Sequence, residues 1–348
     1  MKMKVFPAIV AVLLFSFPAL ALPSLDAEQR TKKRILFVAT GGTIACVKGP
    51  DGLAPSLKVE KLLSFVPELR SLKNFEAIQL FQLDSTNMHP KNWQTLAREI
   101  HKRLERFDGV VVLHGTDTMA FSASALAVML APNKPVVLTG AMEPMGTPGG
   151  DAEGNLIDAV RVALHGAPGV TVAMNGKNYP AERVFKKNSR ERDAFALVEG
   201  EAETIDAVLS KSVAPPSRPS PLRDGLVSEV LTLRLQPGLK ASFLEKMDEA
   251  GIKALLIPAY GMGGIPFQGE DLLPALKHLM AHGVPVVVAS QCPFGCADLS
   301  VYQVGVKALE AGVVPVEHSS IEYATVRLMS SLYYGKDRAQ VQRLLRGL

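Results

Sequence analysis

The chain has 348 residues, 47% of them hydrophobic and 21% charged, with a formal net charge of +4 at pH 7. That length can carry two separate cores, and apolar residues spread along the whole chain exclude an intrinsically disordered protein. The weak net charge gives no electrostatic ground for binding nucleic acid or an anionic membrane.

At the N-terminus, Lys2 and Lys4 precede an apolar run from Val5 to Phe17, and Ala19-Leu20-Ala21 follows as a small-x-small site. A basic start, a short apolar centre and such a site make a secretory signal peptide over residues 1–21. The chain is therefore expected to be exported, periplasmic or secreted. The run is short for a membrane span of ~20 residues, and Pro7 and Pro18 interrupt it, which argues against an anchor.

From Arg34 onward, short β-rich runs alternate with helical stretches. Ile35-Leu36-Phe37-Val38 reads as a buried strand that breaks into Thr40-Gly41-Gly42-Thr43. Trp93 to Phe107 has helical apolar spacing. Val110–Leu113 is a second buried strand, ending in His114-Gly115-Thr116-Asp117. A helix over Ala120–Leu130 leads to a third, Val136–Leu138, ending in Thr139-Gly140-Ala141-Met142. Continuous apolar strands separated by helices imply a parallel sheet covered on both faces. Ligands of such sheets bind beyond the carboxyl ends of the strands, where three of these strands end in Thr and Gly.

The segment Pro215–Pro221 holds four prolines in seven residues and reads as a stiff linker. Strand-like Val227–Leu235, Leu255–Ile257 and Val284–Ala289 follow, with helices to the end. The expected fold class is α/β with two α/β domains. A larger N-terminal domain (33–212) has a mostly parallel sheet flanked by helices. A linker (213–224) joins it to a smaller C-terminal domain (225–348).

Thr40-Gly41-Gly42-Thr43-Ile44 combines glycines, which let backbone N–H groups approach a developing oxyanion, with a hydroxyl that a base could activate as nucleophile. A plain strand–helix turn would look similar, and a phosphate-binding P-loop is excluded by its missing lysine. His114-Gly115-Thr116-Asp117-Thr118 brings a second hydroxyl and a carboxylate to the same edge. Asp117 could hold a substrate ammonium or, with Thr118, merely cap the next helix. The three cysteines, Cys46, Cys292 and Cys296, are too few for a disulfide framework. Cys292 and Cys296 have no histidine near them in sequence, so they read as small core fillers rather than zinc ligands.

Taken together, these segments resemble the bacterial-type L-asparaginase/glutaminase family. Thr40–Ile44 and His114–Met119 match its two threonine motifs, and Leu83-Asp84-Ser85-Thr86-Asn87-Met88 looks like its substrate loop. Asp151…Asn155, Tyr260–Gly263 and Ser290-Gln291-Cys292 also fit, and the resemblance runs from about residue 33 to the C-terminus. It implies an enzyme that hydrolyses L-asparagine to L-aspartate and ammonia, with possible side activity on L-glutamine and no metal or organic cofactor. Thr43 matches the nucleophile and Thr116 the second threonine. Lys186, placed by its spacing between Val170–Val172 and Asp193–Phe195, matches the supporting lysine, with Lys187 beside it. Asp117 matches the residue that grips the substrate α-ammonium and Ser85 the one that meets the α-carboxylate, with Thr86 in the same loop. A homodimer or homotetramer is implied in the same way.

Three positions depart from the family pattern: Leu53 where a tyrosine is common in the lid loop, Gly264 where asparagine is frequent, and Glu143 after Gly140-Ala141-Met142. Leu53 and Gly264 favour one rival reading, an exported amino-acid-binding module with an impaired site. The other rival, an amidase subunit of a glutamyl-tRNA amidotransferase, shares the fold and threonines that the resemblance implies.

Overall fold

The computed structural model describes residues 33–212, 220–247, 249–335, 340, 341 and 343. The predicted signal segment (1–21) and the linker residues 213–219 lie outside them. Strand β1 (Ile35–Gly41) is buried along its whole length. It is followed by a hairpin of β2 (Cys46–Gly49) and β3 (Gly52–Pro55), then helix α1 (Val59–Ser64) and strand β4 (Phe75–Leu83). Helix α2 (Pro90–Leu104), strand β5 (Gly109–Leu113), helix α3 (Met119–Leu130), strand β6 (Pro135–Thr139), helix α4 (Ala152–His165) and strand β7 (Gly169–Met174) continue the alternation. The domain ends with β8 (Lys177–Pro180), a hairpin of β9 (Val184–Lys186) and β10 (Phe195–Leu197), a short β11 (Glu203–Thr204) and α5 (Ile205–Leu209).

The main sheet has the order β11-β8-β7-β6-β5-β1-β4. The five strands from β7 to β4 run parallel, and β8 and β11 are antiparallel additions at one side. Side chains alternate faces: Leu36, Val38, Val110 and Val112 pack with α2 and α3, whereas Ile35, Phe37, Val111 and Leu113 pack with α1 and α4. Two covered faces explain why these strands read as unbroken apolar runs. The sequence pattern does not single out β4, because Phe75–Leu83 mixes polar and apolar residues. It lies at the sheet edge, where half-burial suffices.

From β1 the chain passes outward to β4, then crosses back to form β5 on the other side of β1. The winding reverses between β1 and β5. The diverging connections leave a crevice there, at the carboxyl ends of the two strands.

The smaller domain comprises β12 (Val230–Thr232), α6 (Ala241–Leu244), β13 (Ala254–Ala259), α7 (Leu273–Ala281), β14 (Val286–Ser290), α8 (Gln303–Ala311), β15 (Val314–Pro315) and α9 (Ile321–Tyr334). Its four strands are parallel in chain order. The predicted strand over Val284–Ala289 starts instead at Val286, since Pro285 has no N–H to give a ladder. The strand predicted over Val227–Leu235 shortens to Val230–Thr232, although Leu233 and Leu235 still donate to the carbonyls of Leu256 and Pro258. Helix α9 is shared between the domains. Ala324 and Leu328 pack under the small sheet, while Val326 and Met329 join the core formed with α2 and α3.

Among the described residues no helix is long and apolar enough to cross a membrane. The cysteines depart from the core-filler expectation: Cys46 is buried, but Cys292 is exposed and Cys296 half-buried. The latter two lie in the loop after β14, at a strand-end rim rather than between layers.

Candidate active site

Two glycines bring the loops after β1 and β5 together. A Cβ on Gly42 would lie 2.2 Å from the backbone of Gly115, and one on Gly115 would lie 2.6 Å from Ser85 Oγ. Gly42 also has a φ of 81°, a conformation that L side chains rarely adopt. Side-chain-free backbone thus joins three loops: the one carrying Thr43, the one carrying Thr116 and Asp117, and the one carrying Ser85 and Thr86. The Gly42 N–H donates to Leu83 O at 2.8 Å, and Thr118 Oγ1 donates to Ser85 O at 2.8 Å. Thr118 therefore holds the Ser85–Thr86 loop instead of capping α3, a role that nothing in its spacing announces.

Thr40 and Thr139, near the ends of β1 and β6, are structural. Thr40 Oγ1 donates to Leu113 O at 3.0 Å and Thr139 Oγ1 to Ala173 O at 2.8 Å, each tying its strand end to a neighbour. Thr43 is different. It opens a single 3-10 turn, is half-buried, and has no side-chain hydrogen-bond partner among the described residues.

Thr116 is buried, and its Oγ1 accepts from Lys186 Nζ at 2.8 Å. The same ammonium donates to Asp117 Oδ1 at 2.7 Å. Lys186 stands at the end of β9, paired with Phe195 across the β9–β10 hairpin. Lys187 turns away and meets Asp193 at 2.6 Å, as alternation along extended chain requires. The structure thus separates two lysines that sequence spacing leaves adjacent. Ser85 is buried beneath Gly115, whereas Thr86 is exposed and gives both its amide and its hydroxyl to Asp84 Oδ1, at 2.9 and 2.8 Å.

Behind this rim lies a buried polar chain that the sequence does not reveal. Trp93 Nε1 donates to Ser122 Oγ at 2.9 Å, Ser122 Oγ lies 2.8 Å from His114 Nε2, and His114 Nδ1 lies 2.7 Å from Gly115 O. Trp93 can only donate, so the consistent arrangement has Ser122 donating to a neutral His114, which in turn donates from Nδ1 to Gly115 O. Complete burial drives the imidazole pKa down to about 4, so His114 stays neutral and fixes the peptide preceding Thr116. The loop after β6 is held by Asp151, whose carboxylate accepts from the amides of Met142 and Glu143 at 2.9 and 3.0 Å. Glu143 accepts from Arg192 at 2.8 Å, and the same Arg192 nitrogen donates to Gly149 O at 2.7 Å. This departure thus forms a tie between two loops.

The loop expected to act as a lid is a β-hairpin, with Lys48 opposite Leu53. Leu53 is 55% exposed. Gly264 belongs to the tight turn after β13, where a Cβ would crowd Val304 Cγ2 at 3.0 Å.

Two outcomes are expected. Gly115→Ala forces the loops apart and should lower turnover at least about tenfold, since misplacement on the ångström scale costs rate strongly. Steady-state kinetics with circular dichroism check this, and full activity would contradict the contact. His114, neutral when folded to about pH 4 but titrating near 6.5 when unfolded, stabilises the fold above pH 6.5. That contribution, roughly 3 kcal/mol, is lost as pH falls from 6.5 toward 4, because the unfolded chain binds the proton first. Urea unfolding of wild type and His114→Gln across this range should show a shallower slope in the variant.

The geometry has counterparts among known proteins. Residues 34–213 match the asparaginase N-terminal family, and residues 229–345 match the glutaminase/asparaginase C-terminal domain. The L-asparaginase of Thermococcus kodakarensis is 35% identical over 323 residues, covering 90% of this chain and 96% of that protein. A solved structure of the thermostable L-asparaginase from that organism superposes with a TM-score of 0.82 at 33% identity, covering 90% of this chain and 96% of that one. L-asparaginase I from Vibrio cholerae superposes with a TM-score of 0.80 at 27% identity, covering 91% and 97%. A glutamyl-tRNA(Gln) amidotransferase subunit from Pyrococcus horikoshii is 32% identical over 336 residues, covering 89% of this chain and 74% of that protein. With both domains matched in order, the chain belongs to the asparaginase family of amidohydrolases.

Proposed function

We propose that the chain hydrolyses the side-chain amide of L-asparagine, with Thr43 as nucleophile, releasing ammonia and then L-aspartate. The observation that carries this reading is the 2.8 Å hydrogen bond from Lys186 to Thr116, on a loop whose Gly115 lies against Gly42 of the Thr43 turn. Two hydroxyls and an amine thus stand at the crevice where a parallel sheet binds its ligands.

In this mechanism, Asp117 receives the substrate α-ammonium. One of its oxygens accepts from Lys186, and the other has no hydrogen bond to the described residues. Ser85 meets the α-carboxylate, and Thr86 lines the same subsite with a lone pair left to accept. Thr43 Oγ1 attacks the amide carbon, and its proton passes to the amide nitrogen. Backbone N–H groups, including that of Thr116, hold the oxyanion. Collapse of the tetrahedral adduct breaks the C–N bond, and the protonated amine leaves as ammonia. A water hydrogen-bonded to Thr116, whose hydroxyl Lys186 holds in place, then adds to the Thr43 ester. Its proton returns to Thr43 Oγ1 as the acyl C–O bond breaks, and aspartate departs. L-glutamine, one methylene longer, is a slower substrate of the same machinery. In the same reading, the mature chain is exported after cleavage near Ala21 and assembles as a homodimer or homotetramer.

Ammonia release from asparagine, glutamine or glutamate-loaded tRNA tests the substrate class. Turnover confined to the tRNA would favour the amidotransferase reading, and binding without turnover would favour a binding module. Thr43→Ala should lower kcat by more than about 10³-fold with the fold intact. Asp117→Ala should raise KM about 10–100-fold through loss of a charge-assisted bond. Retention of most activity in the first variant, or of affinity in the second, would overturn the respective assignment. Exported protein should begin just after Ala21 on N-terminal sequencing and sediment above the monomer mass.

A further inference from the structure

Away from the threonine crevice, Glu199, Cys296 and His318 meet where the two domains touch. Glu199 follows β10 in the larger domain. Cys296 lies in the loop after β14, and His318 in the turn between β15 and α9. Their donor atoms all lie within 4.8 Å of one another. His318 Nδ1 is 2.6 Å from Glu199 Oε2. The Cys296 sulfur lies within 4.8 Å of both the Glu199 carboxylate and the His318 imidazole.

Main-chain bonds hold the three residues in place. Gly295 N donates to Val198 O at 2.7 Å, and Ser320 N donates to Glu182 O at 2.9 Å, so each ligand segment of the small domain is pinned to the large one. His318 has a φ of 54°, a left-handed conformation uncommon for a non-glycine residue and kept only where the surroundings enforce it. The group borders an open cleft of about 660 Å³ that also exposes Asp298 and Glu317.

We propose that Glu199, Cys296 and His318 bind one zinc ion across the domain seam. Thiolate, imidazole and carboxylate are the donors that zinc accepts, and three protein ligands leave its fourth position to water from the cleft. Tetrahedral bonds of ~2.0–2.3 Å separate ligand atoms by about 3.3–3.6 Å. Closing on the ion therefore requires the His318–Glu199 hydrogen bond to open by less than about 1 Å and any pair at the 4.8 Å limit to draw in by just over 1 Å. A bound cation takes the thiolate form and releases the thiol proton to solvent. Sequence spacing argues against zinc because no histidine lies near Cys292 or Cys296 in the chain, but folding supplies His318 from beyond β15. The site is independent of the proposed hydrolysis, since none of its residues shares a hydrogen bond with Thr43, Thr116, Asp117 or Lys186.

The test is a titration of the full chain, freed of metal by chelator, with cobalt(II) and then zinc. One equivalent of cobalt should produce a thiolate-to-metal charge-transfer band, which zinc bleaches, and zinc should raise Tm. Cys296→Ser should abolish the band, Cys292→Ser should leave it unchanged, and His318→Ala and Glu199→Gln should each weaken binding at least about tenfold. Absence of the band, its survival in Cys296→Ser, or its loss in Cys292→Ser would overturn the proposal. Circular dichroism of each variant separates loss of the site from loss of the fold. Asparagine turnover, measured in parallel, should be unaltered by Cys296→Ser.

Discussion

The contact between Gly42 and Gly115 is the constraint on which the rest of the site depends. The winding of the sheet reverses between β1 and β5, so their outgoing loops would ordinarily diverge. With no Cβ at either position, the backbones touch, and Ser85 fits beneath Gly115. Any side chain there would hold Thr43 and Thr116 farther apart and open the substrate loop as well. The glycines also leave bare peptide at the crevice, the form of donor that a developing oxyanion needs.

Around that contact, polar groups divide into a fixed frame and a working rim. Thr40, Thr139, Asp151 and His114 spend their hydrogen bonds on backbone groups of neighbouring loops. All four are buried, where an unmet polar atom would cost about 1–3 kcal/mol, so each partnership is strongly enforced. Thr43, by contrast, is uncommitted, and Lys186 reaches Thr116 and Asp117 from a hairpin instead of the sheet itself. In the proposed reaction, electrostatic preorganisation then comes from the frame, and the proposed nucleophile Thr43 is left free to react.

Most of the frame is legible in the sequence, because a strand covered on both faces writes itself as an unbroken apolar run. β1, β5, β6 and β13 announce themselves in this way. The edge strand β4 does not, since one exposed side removes the signal, and β9 is three residues long. The candidate site was readable where its residues stand in contiguous motifs, as Thr43, Thr116 and Asp117 do. Lys186 could be placed only by resemblance, because its partner lies on a different element and the adjacent Lys187 is chemically identical. Thr118, Ser122 and Trp93 carry no sequence signal for their roles. Each acts through a partner brought near by the fold, as does His318 beside Cys296.

The side chains of the departures from the family pattern lie outside the frame, although the Glu143 amide is held by Asp151. Leu53 sits on a solvent-exposed hairpin strand, Glu143 is tied to Arg192 above the sheet rim, and Gly264 fills a tight turn in the small domain. None of them touches the Gly42–Gly115 contact or the Lys186–Thr116–Asp117 set. A hairpin that offers Leu53 instead of a phenol can shield the crevice from water but cannot share in proton transfer. In the proposed reaction, activation of the nucleophile then falls on groups at the sheet rim. On that proposal, peripheral substitution of this kind bears on how the substrate is enclosed, while the chemistry stays with the backbone contact and the hydroxyls it brings together.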